Sequence, residues 1–468
     1  MSEASVVWLS TVYLVIYHPS EPRILMMPGA TGWSLLSFQF PERLHFGTVV
    51  QIVREVRHAL NLEVTVLRWT DVQYTHEERH AQVDIIVTAE SNSAAWVAPG
   101  GALWIGQEDL HDLQLALPQQ REVIATCLLE KEMRSVPARR AAWERSGWFA
   151  QAASWIREQL EQLDHTMVAP IEQIRIWGIS CILRVPTKAG AVYFKVSPFP
   201  IPGDQTELPF LCANEAALTR ALAVLYPEHV PRPLAVDPTL GWMLLEDFGQ
   251  PLRAYPVLAM WEDALQTFSR LQVDSTRQVE ALLASGCLDR RLDKLSGQID
   301  SLLNDRQVLV SLDKAEVEQL RAYAPLLKAM CKQLASYNVP PALVHGDLHP
   351  GNVARHQGSP TFFDWTDGCV SHPFFDAITF WGEVDSLEDE HLARARLREV
   401  YLAQWVSFEP MECLLEAVAL AEVLGALHQV VSYQHILANM EPPWRAGIGA
   451  GLVFWARTLL KAIEQYRR

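Results

Sequence analysis

The first 136 residues alternate between strand-like and helix-like spacings of apolar positions. Strand-like runs lie at 6–17, 64–72 and 82–88. Apolar positions with helical spacing lie at 48–60 and 119–132, and this mixture predicts an α/β or α+β module. The polar stretch that follows leads into an amphipathic helix predicted at 150–163. We therefore place a domain boundary near residue 136 and a linker with this helix at 137–168.

The spacing of apolar residues changes after residue 169. Three short apolar runs in "IEQIRIWGISCILRVPTKAGAVYFKVSP" are separated by Gly178 and by residues 188–190, which predicts a three-stranded antiparallel meander. A helix and two further strands are predicted at 211–225, 234–236 and 241–246. From residue 256 onward the pattern is mostly helical. A small antiparallel-sheet region at 169–250 therefore precedes a helical region at 251–468.

Length and charge limit the classes of protein to consider. A chain of 468 residues is too long for one hydrophobic core, so several domains are expected. The formal net charge of −16 argues against a nucleic-acid partner or an anionic membrane surface. The same charge leaves room for a cationic small molecule.

Cysteine spacing and apolar segments bear on the compartment. The seven cysteines are scattered and form no C-x-x-C pair, so neither a disulfide framework nor a zinc knuckle is expected. The apolar N-terminal run lacks a basic segment before it and is interrupted by polar residues, which favours a strand over a signal peptide. No later segment is expected to reach the apolar length of a membrane helix. A cytoplasmic protein is predicted.

A crowd of polar residues stands out in "LVHGDLHPGNVARHQGSPTFFDWTD", residues 343–367. Asp347 is followed by Asn352 after four residues, and Asp364 comes at the end of the next predicted strand. Phosphoryl transfer needs such a set, because one aspartate accepts the proton of the attacking hydroxyl while an asparagine and a second carboxylate hold Mg²⁺. A hairpin of 353–355 and 361–363, turned by "QGSP", would return Asp364 beside Asn352.

These motifs resemble those of the aminoglycoside phosphotransferase and choline kinase group, small-molecule kinases with a protein-kinase-like fold. "HGDLHPGN" fits the pattern HGDxxxxN, and "FFDW" fits the context of the metal aspartate. The resemblance implies that Asp347 is the catalytic base and that Asn352 and Asp364 bind Mg²⁺. It also implies that His345 braces the loop and that Asp376, which follows a proline, is a structural aspartate.

The resemblance extends to the region before the helical part. It implies that Lys195 in "AVYFKVS" contacts the α- and β-phosphates and that Glu215 orients this lysine. The turn in "WGISCILRV" would cover the nucleotide phosphates with Ile179, Ser180 and Cys181. In "WMLLEDFG", the backbone of Leu245 and Glu246 would contact the adenine edge.

The expected fold is thus multidomain, with α/β and α+β parts. A bilobal kinase-like fold, with an antiparallel-sheet N-lobe at 169–250 and a helical C-lobe at 251–468, follows a Nudix-like domain at 1–136. The expected function is ATP- and Mg²⁺-dependent phosphorylation of a small-molecule hydroxyl, with GTP as the alternative nucleotide. Aminoglycosides, choline-like amines and amino alcohols are the candidate substrates. His349 and Asp367 lie where the substrate would be, or they cap turns.

Two alternatives of other classes stay open. One is a pseudokinase that binds a nucleotide and senses or scaffolds without turnover, although none of the expected catalytic residues is lost. The other is a metal hydrolase with an H-x-D-x-H cluster. Its ligands would be His345, Asp347 and His349, with His356 or His372. That alternative leaves Asn352 and Lys195 unexplained.

The N-terminal module carries a faint resemblance to the Nudix hydrolase box, G-x5-E-x7-R-E-U-x-E-E-x-G-U. The positions that match are Arg54, Glu55, Val56 and Leu62. His58 and Ala59 replace the paired glutamates that would hold Mg²⁺, so no diphosphate hydrolysis is expected. The other departures from the box are Phe40, Phe46 and Asn61. The module would bind a nucleotide or metabolite, contribute to the substrate pocket or mediate homodimerisation.

Overall fold

The computed structural model describes residues 7–45, 47–77, 80–93, 95–133, 136–137, 139–198, 211–212 and 214–468. Phe46 of the Nudix-like box lies outside these residues. The described residues form two compact units. The first unit runs to Val196 and also contains Met440–Gly447, and the second unit contains the residues from Ser197 to Asn439 and Ile448–Arg468. The predicted domain boundaries stay predictions.

A seven-stranded mixed sheet dominates the first unit. Its strands are β1 (Val7–Tyr17), β2 (Ile24–Pro28), β3 (Trp33–Ser34), β4 (Leu36–Phe40), β5 (Val64–Glu77), β6 (His80–Ser91) and β7 (Leu103–Ile105). The helices are α1 (Val50–Leu60), α2 (Gln107–Leu110), α3 (Arg121–Met133) and α4 (Trp148–Gln162), with short 3-10 turns at Pro118–Gln120 and Ala142–Glu144. The strand order is β3-β2-β1-β6-β5, with β4 paired to β1 and β7 paired to β2.

The apolar spacing explains these elements. β1 and β6 are parallel neighbours in the middle of the sheet, and their Val12, Leu14 and Ile85 side chains are fully buried. On α1, Ile52 and Val56 face the core, whereas Arg54 is exposed. The predicted strands and helices of this region are present, each with ends shifted by a few residues. The Nudix-like assignment itself stays a prediction.

The predicted antiparallel meander is present at the end of the first unit. It consists of β8 (Glu172–Trp177), β9 (Ser180–Thr187) and β10 (Gly190–Val196). Gln173 on β8 is buried, and its amide makes two hydrogen bonds with the backbone of Val66 on β5, at 2.8 and 2.9 Å. The meander is thereby attached to the seven-stranded sheet within one unit.

Helices form most of the second unit. Before the candidate catalytic loop, which is the "HGDLHPGN" stretch at 345–352, these are α5 (Glu215–Leu225), α6 (Leu258–Ser275), α7 (Val279–Ala284), α8 (Leu292–Asn304), α9 (Arg306–Leu309) and α10 (Lys314–Leu334). After it come α11 (Phe374–Trp381), α12 (Glu390–Leu402), α13 (Met411–Ala438) and α14 (Pro442–Tyr466), with 3-10 turns at Leu252–Ala254, Trp365–Asp367 and Val384–Ser386. The first turns of α14 belong to the first unit.

Short strands complete the second unit. They are β11 (Ala235–Asp237), β12 (Trp242–Glu246), β13 (Leu288–Asp289), β14 (Ala342–Val344), β15 (Val353–His356), β16 (Ser359–Phe362) and β17 (Cys369–Ser371). β17 lies between β13 and β14, and β15 pairs with β16 as a hairpin. The helix predicted from residue 211 begins at Glu215, because the side chain of Asn214 caps it by accepting a hydrogen bond from the Ala217 amide.

One helix corrects an expectation about apolar length. Among the described residues, α13 is long and apolar enough to cross a membrane. Most of its apolar window is buried inside the protein, however, and core helices of soluble proteins pass the same test. α13 packs in the helical core, with Leu424, Leu427 and Val431 nearly or fully buried, and its composition alone is weak evidence for a membrane.

Candidate active site

The catalytic loop follows β14 directly and depends on Gly346. This glycine has a φ of +84°, and a Cβ there would lie 2.5 Å from the carbonyl oxygen of Asp367. A side chain would be strained by the backbone conformation and would also clash with rigid backbone. The glycine of "HGD" is thus required by the close approach of two loops.

Asp376 holds the start of this loop. Its Oδ2 accepts a hydrogen bond from the His345 amide at 2.6 Å, and its Oδ1 accepts one from the Gly346 amide at 2.9 Å. Burial raises the pKa of Asp376 to about 7, although the two backbone donors act in the opposite direction. This geometry is the one expected of a structural aspartate.

His345 is fully buried and braces the loop from the other side. Its Nε2 lies 2.8 Å from the carbonyl oxygen of Phe363, so this nitrogen carries the hydrogen. The ring also lies against Trp365, with 4.6 Å between ring centroids. Burial lowers the pKa of His345. His345 is therefore neutral, and it links the catalytic loop to Phe363, the residue before Asp364.

Two residues that the sequence did not single out complete this brace. Gln272 on α6 donates from Nε2 to Asp376 Oδ2 at 3.1 Å and to the Leu343 carbonyl at 3.0 Å. The Tyr401 hydroxyl lies 2.6 Å from Gln272 Oε1. Both side chains are fully buried. Both residues are far from the loop along the chain, so no local sequence pattern predicts their role. The one available hint is a glutamine on the apolar face of a helix.

The predicted hairpin brings Asn352 and Asp364 close. β15 and β16 pair, and the Phe363 amide donates to the Asn352 carbonyl at 3.1 Å. The turn lies at Gln357 and Gly358, both with positive φ, as a two-residue type I′ turn requires. Ser359 and Pro360 of the predicted "QGSP" turn belong to β16.

Asn352 is positioned so that its amide nitrogen is bonded and its amide oxygen stays available. Its Nδ2 donates to the backbone carbonyl of Asp347 at 3.0 Å and lies 3.2 Å from Asp347 Oδ2. Among the described residues, Oδ1 of Asn352 takes part in no hydrogen bond. The amide thus orients the exposed Asp347 carboxylate and leaves an oxygen for a hard cation.

Asp364 adopts a left-handed backbone conformation, with φ 67° and ψ 59°, directly after β16. The Thr366 hydroxyl oxygen lies 2.9 Å from Asp364 Oδ1 and 3.0 Å from Glu215 Oε2. Glu215 Oε2 also accepts a hydrogen bond from the Ser197 hydroxyl. Within the second unit, Glu215 at the start of α5 therefore lies near the metal-ligand candidate Asp364.

The donor set fits Mg²⁺ better than a metal of a histidine-rich hydrolase. Asn352 and Asp364 offer oxygen atoms, and Mg²⁺ is usually held by one or two such groups together with phosphates and water. No group of three or more His, Cys, Asp or Glu side chains within the described part of the chain is placed to hold a metal ion. The H-x-D-x-H hydrolase alternative stays a prediction.

His349 lies next to the candidate base. Its Nδ1 accepts a hydrogen bond from the Gly351 amide at 2.9 Å, so the hydrogen is on Nε2, which is 3.6 Å from Asp347 Oδ2. Burial acts to lower the pKa of His349, but the Asp347 carboxylate outweighs it and raises the pKa. Arg253 also reaches Nδ1, at 3.3 Å.

Asp367 differs from the neighbouring site residues in its hydrogen bonding. No hydrogen bond to its carboxylate is found from any described residue. Burial raises the pKa of Asp367 to about 7, and the negative charge of Asp347 adds to this, whereas Arg290 opposes it. Arg290 is itself 4% exposed, and its guanidinium donates to Ser432 Oγ at 2.8 Å and to the His428 carbonyl at 3.1 Å.

The remaining predicted site residues are divided between the two units. Lys195 is on β10 of the first unit and is largely buried. Ser180 begins β9 of the same unit, and its hydroxyl accepts a hydrogen bond from the Trp177 indole at 2.6 Å. Leu245 is buried and Glu246 is exposed at the end of β12, in the second unit. Their nucleotide roles stay predictions.

Comparison with known proteins gives one family match. Residues 202–414 match the model described as APH, phosphotransferase enzyme family. No curated protein sequence matches the chain. The match confirms the resemblance to small-molecule phosphotransferases, and with the architecture of both units it confirms the kinase-like fold class.

Several solved structures are also similar. The choline kinase LicA from Streptococcus pneumoniae shares 15% identity, with 68% of this chain and 100% of that chain covered and a TM-score of 0.48. Macrolide 2'-phosphotransferase type I shares 13% identity, with coverage of 64% and 97% and a TM-score of 0.44. A GDP and kanamycin complex of APH(2")-IIia shares 17% identity, with coverage of 66% and 98% and a TM-score of 0.45. At TM-scores below 0.5, these likenesses add nothing to the family match.

Proposed function

We propose that the protein is an ATP- and Mg²⁺-dependent kinase that phosphorylates a hydroxyl of a cationic small molecule. The observation that carries the proposal is the arrangement of Asp347 and Asn352. The Asn352 amide fixes the base through Nδ2 at 3.2 Å while its Oδ1 stays available for a metal. Asp364 follows the residue that pairs with Asn352, so both oxygen donors come from one hairpin.

Each residue has a defined task in this proposal. The Asp347 carboxylate accepts the proton of the acceptor hydroxyl and aligns its oxygen for attack. Asn352 Oδ1 and the Asp364 carboxylate would hold Mg²⁺, which would supply positive charge to the nucleotide phosphates. His345 and Asp376 keep the loop in place, so little reorganisation is needed when the substrates arrive.

The acidic surroundings of the loop support a cationic acceptor. Burial is the largest cause that raises the pKa of Asp367, the nearby charges of Asp347 and Asp364 add to it, and Arg290 opposes it. An ammonium group beside Asp367 would occupy a carboxylate that makes no hydrogen bond with the described residues. Amino alcohols and aminoglycosides have both this charge and a hydroxyl to phosphorylate.

The nucleotide contacts are proposed from the resemblance. Lys195 would contact the α- and β-phosphates, with Glu215 orienting it. Ser180 retains a hydroxyl hydrogen to donate, because its oxygen accepts from Trp177. The backbone of Leu245 and Glu246 would contact the base of ATP or GTP.

Ligand-induced stabilisation tests the nucleotide assignment. Mg·ATP at about 100 times its Kd should raise the free energy of unfolding by about 2.7 kcal/mol, and the thermal midpoint with it. The rise should vanish in Asp364→Ala and persist in Asp289→Ala, a control that changes an aspartate paired with Arg291. An equal rise in wild type and Asp364→Ala would contradict the metal assignment. Mg·GTP in parallel decides between the nucleotides.

An acceptor screen tests the reaction. Aminoglycosides, amino alcohols and nucleosides are added with Mg·ATP, and stimulated release of ADP is measured, with Asp347→Ala as the blank. A cationic alcohol should stimulate release in the wild type alone. Nucleotide binding without stimulation by any acceptor would favour the pseudokinase alternative.

For residues 1–136 we propose a Nudix-like module without diphosphate hydrolysis. Its expected metal positions carry His58 and Ala59, which offer no carboxylate. The full chain should therefore not cleave nucleoside diphosphate derivatives in Mg²⁺. Cleavage that survives in Asp364→Ala would contradict this assignment. Sedimentation of the full chain tests a homodimer.

A further inference from the structure

The turn between β8 and β9 is covered so closely that a side chain at its first position would displace its neighbours. A Cβ at Gly178 would lie 2.5 Å from Met440 Cε and 3.1 Å from Trp444 Cγ. Met440 and Trp444 are 2% and 1% exposed. They belong to Met440–Gly447, the part of the later chain that joins the first unit. We call Met440–Gly447 the cover segment.

The strand that leads into this turn is also held by residues earlier in the same unit. The Ile176 amide donates to the Gly47 carbonyl at 3.0 Å. The Trp143 indole donates to the Trp177 carbonyl at 2.8 Å. The turn is therefore held by backbone anchors as well as by the cover segment, all within one unit.

The cover segment is fixed by buried ion pairs. Glu441 Oε2 lies 2.5 Å from Arg140 Nε and 3.7 Å from Arg68 Nη1. Glu130 pairs with the same two arginines, at 3.3 and 2.8 Å. Arg68, Arg140 and Glu441 are 6%, 7% and 7% exposed. Removing one partner would leave buried charge uncompensated, so the network restricts where Glu441 and its neighbours can lie.

We propose that the cover segment fixes the conformation of the turn at 177–180 and thereby sets the affinity for the nucleotide. The inference rests on the proposed function, in which this turn contacts the nucleotide phosphates. Met440 and Trp444 are positioning residues, and Glu441 holds them in place. A turn that is ordered before binding loses less conformational entropy when the phosphates arrive, which favours affinity.

A double-mutant cycle tests the packing directly. Gly178→Ala should raise the Kd for Mg·ATP about fivefold, because the new methyl group pushes against Met440 and Trp444. Met440→Ala removes the atom nearest to that methyl group. The double variant should therefore bind Mg·ATP more tightly than the product of the two single effects implies. Independent, multiplying effects would overturn the proposal.

Substitutions in the cover segment test its role in affinity. Trp444→Leu should raise the Kd and KM for Mg·ATP about tenfold, with kcat at saturating nucleotide and the acceptor KM within about twofold of wild type. Trp444→Phe should restore most of the affinity. Glu441→Gln keeps the shape of the side chain and should raise the Kd for Mg·ATP about threefold. This variant provides the same test if Trp444→Leu does not fold.

A matched control separates positioning from general destabilisation. Trp96→Leu removes a tryptophan of the same unit whose indole donates to the Leu60 carbonyl at 3.0 Å, and it should leave the Kd for Mg·ATP unchanged. An equal rise in Trp96→Leu, or an unchanged Kd in both Trp444→Leu and Glu441→Gln, would overturn the inference alone. A wild-type protein that binds neither Mg·ATP nor Mg·GTP would overturn the proposed function and this inference together.

Discussion

Two aspartates beside the catalytic loop have similar electrostatics and different surroundings. Burial raises the pKa of both Asp376 and Asp367 to about 7. Asp376 accepts hydrogen bonds from two backbone amides and from Gln272. Asp367 accepts none from the described residues, and the buried Arg290 is near enough to oppose the rise of its pKa.

The difference shows that a raised pKa does not by itself identify a functional group. What separates the two carboxylates is whether their oxygens are already used. Asp376 is saturated by the loop that it supports, which is typical of a structural residue. Asp367 keeps its oxygens for a partner from outside the described structure, which suits the ammonium group of a substrate.

The same substitution at both positions should have opposite consequences for stability. Asp376→Asn places an amide NH₂ group where three donors converge, and the free energy of unfolding should fall by about 1–3 kcal/mol, with loss of activity. Denaturant unfolding monitored by fluorescence measures the change. A variant as stable and active as wild type would show that Asp376 does not brace the loop.

Asp367→Asn should affect substrate binding instead. We expect the KM of a cationic acceptor to rise about tenfold with kcat changed little, because one charge interaction with the ammonium group is lost. The KM for Mg·ATP should stay unchanged. Steady-state kinetics with both substrates measure the effect, and a neutral acceptor analogue is the control. Equal losses for the cationic and the neutral acceptor would refute a charge contact.

The pH dependence of acceptor binding follows from the raised pKa of Asp367. Below pH 7 this carboxyl is protonated and neutral, and above pH 7 it is charged and attracts a cation. The acceptor KM should therefore fall severalfold as the pH rises from about 6 to 8. Asp367→Asn should flatten this profile. An unchanged slope in the variant would assign the titration to another group.

The free energy of unfolding should change with pH in the opposite direction, because the contribution of Asp367 to it falls as the pH rises. The folded state holds the Asp367 proton up to a pKa of about 7, whereas the unfolded chain releases it near the ordinary aspartate pKa of 3.8. Its contribution to the free energy of unfolding is therefore complete below pH 3.8 and is lost as the pH rises through 7. Asp367→Asn removes that loss, so the variant should be more stable than wild type at pH 8 by about 1–4 kcal/mol. If wild type were more stable than Asp367→Asn at pH 8, the result would contradict this prediction.

Much of the fold could be predicted because its signals are local. The meander of β8–β10 and the β15–β16 hairpin are marked by apolar runs between Gly-containing turns. The helix predicted at 211–225 is also present, although it begins only at Glu215, after the Asn214 cap. The motif residues Asp347, Asn352 and Asp364 lie within 18 residues of one another, so their proximity also follows from local structure.

Long-range contacts could not be predicted in the same way. Gln272 reaches Asp376 across 104 residues, and Arg290 reaches Ser432 across 142 residues. The contact of Trp444 with Gly178 depends on a late segment that joins the first unit. Pattern along the chain predicts which face of an element is buried, but not which distant polar group it meets there.

The most direct test of the central claim is the rate of acceptor-dependent ADP release in Asp347→Asn at saturating Mg·ATP and acceptor. The account predicts a loss of about 10²- to 10⁴-fold in kcat, because the proton of the attacking hydroxyl has no acceptor, with the Kd for Mg·ATP unchanged. A variant that turns over within a few-fold of wild type would contradict the assignment of Asp347 as the base of a kinase.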